Sequence, residues 1–205
     1  MYEFTDRIIK KLNRVYLREF TRLKLMRFDE LNVVKAVKDV YRKCVNAAKK
    51  RYLEIARHYY WIAFNEAKSG REIGNDDWIN NDWLLDYLEE SDPVTLYSFM
   101  PEVERKRQRL VEALAVTTKP REEIDKSLRF WAQQSQQYAD NITDTAVLRG
   151  YSDAGVKRVR WITERDDRVC PICRERDLRV YDIDKVPPKP HWRCRCVVVP
   201  VKSEK

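Results

Sequence analysis

Residues 170–196 read CPICRERDLRVYDIDKVPPKPHWRCRC and hold four of the chain's five cysteines and one of its two histidines. Their spacing is C-x2-C, then seventeen residues, then H-x2-C-x-C. Structural zinc needs four soft or borderline ligands set tetrahedrally, and proteins commonly offer them as two close pairs from separate turns. Cys170 and Cys173 form one such pair, with Pro171 shaping a tight knuckle, and His191 and Cys194 form an equally spaced second. Cys196 remains as an alternative ligand or a buried thiol. On a strand Cys194 and Cys196 face the same way, so both can approach one ion. The favoured ligand set is therefore Cys170, Cys173, His191 and one of Cys194 and Cys196. Two disulfides leave His191 without a role and suit an oxidising compartment. Redox C-x-x-C pairs sit at a helix start inside a βαβ unit, and the flanks predict none. Cysteines packed without metal are the third alternative.

Outward from this stretch, VKRVRWITE (156–164) alternates in strand fashion, placing Val156, Val159, Trp161 and Thr163 on different faces. The closing CRCVVVPV (194–201) is rich in β-branched residues. Residues 156–201 thus read as a compact α+β or β-rich Cys/His module, followed by a tail at 202–205. Residues 1–155 read as a mainly helical body, and the fold class as a mainly α N-terminal body with a small, zinc-stabilised C-terminal module.

In that body Phe4, Ile8, Leu12 and Val15 recur at helical spacing. Asp29 is placed to cap a second helix with the stripe Leu31, Val34, Val37, Tyr41, Cys44 and Ala48, continued by Leu53, Ala56, Tyr60 and Phe64. Residues 1–68 predict a helical hairpin or one long helix with a bend. Cys44 lies on the apolar stripe as a small buried hydrophobe, and His58 has no second ligand nearby. PEVERKRQRLVEALAV opens a further helix with proline in its first turn. Another begins at Pro120 and runs toward Leu148, and Gly150 and Gly155 are expected to end the helical half. The segment 70–101 carries DDWINNDWLLDYLEESDP and reads as an acidic docking insertion with Trp78, Trp83, Leu84 and Tyr87 as anchors.

The chain of 205 residues is 43% hydrophobic and 36% charged, with only four glycines, which excludes global disorder and favours helix. No apolar run reaches the ~18–20 residues of a membrane span, and the N-terminus lacks the apolar core of a signal peptide. A cytosolic site of assembly is expected. The net charge of +8 is uneven: residues 1–57 carry sixteen Lys and Arg against seven Asp and Glu. Lys10, Lys11, Arg14 and Arg18, with Arg193 and Arg195 in the Cys/His module, are the candidate contacts to nucleic acid or a partner. H-E-x-x-H, P-loop, G-x-S-x-G and glycine-rich phosphate cradles are missing from the sequence, so no enzymatic role is expected.

The string Trp161-x-Thr163, Asp166 or Asp167, Arg168, Cys170-Pro171-x-Cys173, followed by Pro188 or Pro190, His191, Cys194-Arg195-Cys196 and Pro200-Val201, resembles phage head morphogenesis proteins. These are the minor head proteins similar to phage Mu protein F and phage SPP1 gene product 7. The resemblance covers about residues 138–201. Where family members typically carry Arg-Thr-Glu before the tryptophan strand, this chain has Ile142-Thr143-Asp144. The resemblance implies a structural or assembly component of a procapsid or virion, present in several copies at the portal vertex and made in the bacterial cytoplasm. It implies portal protein, and capsid protein with it, as partners, a role in DNA packaging, and non-specific DNA contact. Some family chains carry fused enzymatic domains, and after Lys205 no such domain is expected here. The alternative reading, from a different class, is a stand-alone nucleic-acid-binding zinc module with a regulatory role, which predicts sequence preference.

Overall fold

The computed structural model describes residues 3–27, 32–68, 99–191 and 194–201. The Asp29 cap, Leu31, almost all of the acidic segment 70–101, Arg193 and the tail 202–205 lie outside the described residues. Among the described residues four long helices come first: α1 (Glu3–Lys24), α2 (Val33–Ala67), α3 (Phe99–Val116) and α4 (Pro120–Asp153). They are followed by β1 (Arg158–Ile162), a short α5 (Pro171–Arg176), β2 (Val180–Asp182), a 3-10 turn (Ile183–Lys185) and β3 (Val197–Pro200). The chain is thus mostly helical with a small C-terminal sheet. It divides into two compact units, Met1–Ile55 with Asn80–Ile142, and Ala56–Ile79 with Thr143–Lys205.

In the first unit α1 carries acidic residues in its first turn and basic ones in its last, the arrangement that complements the helix dipole. Its buried stripe runs through Ile8, Leu12, Tyr16, Phe20 and Leu23, while Val15 is only half-buried because Tyr16 occupies the core-facing position. On α2 the core face begins at Val33, and Val34 is exposed, one residue away from the predicted stripe. Val33 and Val37 are four apart and share a face, a phase the Leu31–Val34 spacing misses. An aromatic cluster closes this core. Trp131 lies 4.9 Å from Tyr16 and 5.3 Å from Tyr41 between ring centroids, and Phe99 lies 5.1 Å from Tyr138. Such tilted and edge-on pairs contribute about 0.5–1.5 kcal/mol each beyond area burial. Cys44 is buried here, and burial pushes its thiol pKa up, as expected of a small core hydrophobe.

In the second unit Gly150 does not end a helix. It sits inside α4, where a Cβ would meet the Tyr60 carbonyl oxygen at 2.4 Å and Ala63 Cβ at 3.0 Å. Glycine is there for close approach to α2. The helix ends instead in a Schellman motif: Val156 N–H donates to Tyr151 O at 3.0 Å and Gly155 N–H to Ser152 O at 2.9 Å, with Gly155 at φ +90°. Tyr60 and Tyr151 donate their hydroxyls to Asp153 and Glu66 at 3.0 and 2.7 Å, fastening the α2 and α4 segments of this unit.

The sheet has the order β2-β1-β3 and both pairings are antiparallel. Val159 pairs with Tyr181 on one side and Pro200 on the other, and Trp161 pairs with Val198. Val159 and Trp161 share the buried face of β1, with Thr163 buried just beyond, while Arg158 and Arg160 point to solvent. These odd-numbered residues fall on one face, as a period of two demands, and Val156 precedes the strand. Pro200 stands on an edge strand, where its missing N–H interrupts no ladder between two strands.

Candidate functional site

The Cys/His module is assembled by three local devices. First, Cys170 caps α5 with extended backbone, and its sulfur accepts the Cys173 N–H at 3.3 Å, while the Arg174 N–H donates to the Cys170 carbonyl at 3.0 Å. The knuckle is therefore a helix start with Pro171 in the first turn. It stands beside an antiparallel sheet, not within a βαβ unit. Second, Asp166 grips Arg195 with two hydrogen bonds, Nη1 to Oδ2 at 2.7 Å and Nη2 to Oδ1 at 2.6 Å. Arg195 separates Cys194 from Cys196, so this fork draws the second cysteine pair to the loop that carries the first. The Arg195 hydrogen bonds hold the Asp166 carboxyl down at about 2. Third, Asp144 on α4 pairs with Lys189 at 2.8 Å, anchoring the chain two residues before His191. Burial pushes the Lys189 ammonium down to about 8, and the Cys194 and Cys196 thiols act in the opposite sense.

These devices bring all five sequence-predicted ligands together in two overlapping triads. Cys170, Cys173 and His191 form one, and Cys173, Cys194 and Cys196 the other, with the ligand atoms of each triad within 4.8 Å of one another. Cys173 is common to both. Its Sγ lies 3.5 Å from Cys194 Sγ and 3.7 Å from His191 Nε2. A tetrahedral ion with metal–sulfur bonds of ~2.3 Å and metal–nitrogen bonds of ~2.0 Å requires sulfur–sulfur and sulfur–nitrogen edges of about 3.8 and 3.5 Å. The two Cys173 edges are therefore of the length a tetrahedral metal site requires, and each triad could hold a metal ion, while no four of the five ligands lie within 4.8 Å of one another. Cys173, Cys194 and Cys196 are buried against Trp161, whose own Nε1 is buried without an acceptor among the described residues. The thiols differ in their surroundings. Burial pushes Cys173 and Cys194 up, whereas the backbone N–H of Cys173 lowers Cys170.

The family model described as phage Mu protein F like protein matches residues 107–199. Residues 107–199 are thus similar to phage Mu protein F like proteins. That similarity supports a phage head morphogenesis family. Among the described residues no helix is long and apolar enough to cross a membrane. No curated protein and no solved structure matches the chain. The Mu F like segment takes in most of α3, all of α4 and almost all of the sheet module.

Most arginines of the Mu F like segment's module are already engaged. Arg195 is held by Asp166, Arg165 donates to Asp177 at 2.9 Å, and Arg179 donates to Glu175 at 2.9 Å. Arg176 donates to the Pro188 carbonyl at 2.8 Å and lies 5.3 Å from the Trp161 ring. The sequence motif left Asp166 and Asp167 equivalent; the fork identifies Asp166 as the working residue. Spacing alone did not reveal the Lys189–Asp144 pair, because its partners lie 45 positions apart in sequence.

Lys10, Lys11, Arg14 and Arg18 are all exposed on α1, in the first unit. Beside Arg18 lies a feature the sequence did not single out. Glu19 is 2% exposed, with Arg18 Nε at 2.9 Å, Lys43 Nζ at 3.5 Å and Arg22 Nη1 at 3.6 Å. Burial works to raise the Glu19 carboxyl, and these cations outweigh it, holding the carboxyl below its ordinary value. The periodicity of α1 shows Glu19 only as one more charged residue between Arg18 and Phe20.

Proposed function

We propose that this chain is a minor head protein that acts at the portal vertex of a phage procapsid, in several copies, as a structural and assembly component without catalysis. The observation that carries this reading is the phage Mu protein F like match over residues 107–199, which spans the Cys/His module. In this reading a zinc ion holds the module, bound by Cys170, Cys173, His191 and one of Cys194 and Cys196. Such an ion supplies four tetrahedral bonds that replace a larger hydrophobic core, and its binding energy is folding energy. The chain's own residues preset the arms: the Cys173 N–H fixes the first knuckle, and the Asp166–Arg195 fork positions the second. Portal and capsid protein are the proposed protein partners. The cationic face of α1 supports non-specific contact with DNA during packaging, since it neutralises phosphates without reading bases.

The test has two arms. Co-expression with the portal protein of the same phage is expected to retain the chain in a pull-down, and deleting its gene to impair head maturation. No retention together with normal heads would overturn the portal reading. Elemental analysis of the full chain is expected to give one zinc per chain, lost in Cys173→Ser. Loss in Cys194→Ser but not Cys196→Ser assigns the fourth ligand, and purified protein without zinc removes the metal from the proposal.

A further inference from the structure

The groove between α1 and α2 in the first unit is lined by Val15, Arg18, Glu19, Arg22, Lys43 and Asn46, with Ala47, and encloses about 640 Å³. Its floor is a buried carboxylate and its rim is three cations, whose side chains are about half or more exposed at 65%, 66% and 46%. Only Arg18 reaches Glu19 at hydrogen-bond length. Lys43 and Arg22 stand at 3.5 and 3.6 Å, close enough for ion pairing but too long to commit their N–H donors. A guanidinium has five donors and an ammonium three, so the cluster keeps most of its donors available to an incoming oxygen anion. Three cations against one carboxylate leave an excess of two positive charges at the rim. Glu19 gives the basic side chains a shared anchor and thereby limits their mutual repulsion.

The cluster also lies at one end of a longer row. Arg7, Lys11, Arg14, Arg18 and Arg22 follow one another at intervals of four, three, four and four, and all five are exposed. At 100° and 1.5 Å per residue they occupy an arc of about 80° over about 22 Å of helix. Glu19 is the single acidic residue between positions 7 and 22, and it is buried. The row is therefore an uninterrupted line of positive charge. A nucleic-acid strand presents a phosphate every ~3.4 Å of duplex axis, so ~22 Å of helix faces about six of them.

We infer that the α1–α2 groove at Arg18, Arg22 and Lys43 is a phosphodiester-binding site, the fixed end of a DNA-backbone track along α1. The inference rests on the proposed DNA contact and assigns it to residues, two of which, Arg22 and Lys43, the sequence did not nominate. Glu19 is a positioning residue in this site and makes no contact with the phosphate.

The test uses the full chain and two unrelated 20-base-pair duplexes, with affinity read by fluorescence anisotropy between 50 and 200 mM salt. Wild type is expected to bind both alike, with log K falling linearly in log salt. The variant Arg18→Gln/Arg22→Gln/Lys43→Gln is expected to flatten that slope by about 2 to 3, at ~0.9 for each phosphate it no longer neutralises. The matched triple Arg109→Gln/Arg121→Gln/Arg129→Gln, on α3 and α4, removes as much charge and should change it by less than about 1. Circular dichroism melts verify that both variants fold. If the groove triple fails to fold, Arg22→Gln and Lys43→Gln are read singly, each expected to flatten the slope by about 1. Absence of wild-type binding at 50 mM salt would refute the DNA contact as a whole. Wild-type binding with an unchanged slope in the groove variants would overturn the groove assignment and leave the DNA contact standing. Displacement of the duplex by poly-glutamate at equal charge concentration would refute the phosphodiester assignment.

Discussion

Replacing Gly150 by alanine sets two physical effects against each other. In a helix interior, alanine is favoured over glycine by about 1 kcal/mol through backbone entropy and solvation. The tertiary structure opposes this. The added Cβ would stand 2.4 Å from the Tyr60 carbonyl oxygen, inside the 3.0 Å that side-chain carbons keep, and 3.2 Å from the Phe64 nitrogen. Both atoms belong to the backbone of α2, which cannot swing aside like the tip of a flexible side chain. Relief requires α2 and α4 to separate locally, loosening Ala63, Ala146 and Val147, which are buried in this unit. Overpacking of this kind costs about 1–3 kcal/mol, and the upper end applies where backbone must move. After the propensity gain, a net loss of about 1–2 kcal/mol is expected. For a chain of this size that lowers Tm by about 3–6 °C. Urea unfolding followed by far-ultraviolet circular dichroism should show a lower midpoint with an unchanged slope. Gly155→Ala is the companion: it meets nothing within 4 Å, but its φ of +90° makes alanine strained there, so any loss comes from backbone conformation alone. A higher midpoint for Gly150→Ala than for wild type would refute the close-approach reading.

Two further outcomes follow from ion pairs. Asp166→Asn removes one anionic oxygen from the Arg195 fork, so the second cysteine arm should loosen, and in metal-free protein Cys194 and Cys196 should react faster with a thiol reagent than in wild type; unchanged rates would show that the fork does not position them. The Glu19 carboxyl is held below its ordinary 4.5 by Arg18, Lys43 and Arg22 against the opposing effect of burial. Its stabilisation is therefore complete above that value and lost as pH falls through the lower folded value. Urea midpoints between about pH 5 and pH 3 should fall more steeply for wild type than for Glu19→Gln, and parallel curves would show that these cations contribute no net stabilisation.

Sequence alone determined the mostly helical body, the start of α4 at Pro120 and the strand character of 158–162 and 197–200, because local periodicity and proline placement reflect short-range sterics. It also picked out the five Cys/His side chains, because ligand spacing is a property of local chain. The helix boundary at Gly150 was misread for a definite reason: a glycine required by a neighbouring helix looks the same as one that stops its own. Tertiary structure alone decided how the five ligands divide, since the two overlapping triads depend on the Asp166–Arg195 fork across 29 positions. It likewise decided that Glu19, Arg22 and Lys43 form one cluster, since α1 and α2 meet at a phase that neither helix's own pattern specifies. Spacing names the groups that can bind, whereas burial and long-range pairing determine which of them meet.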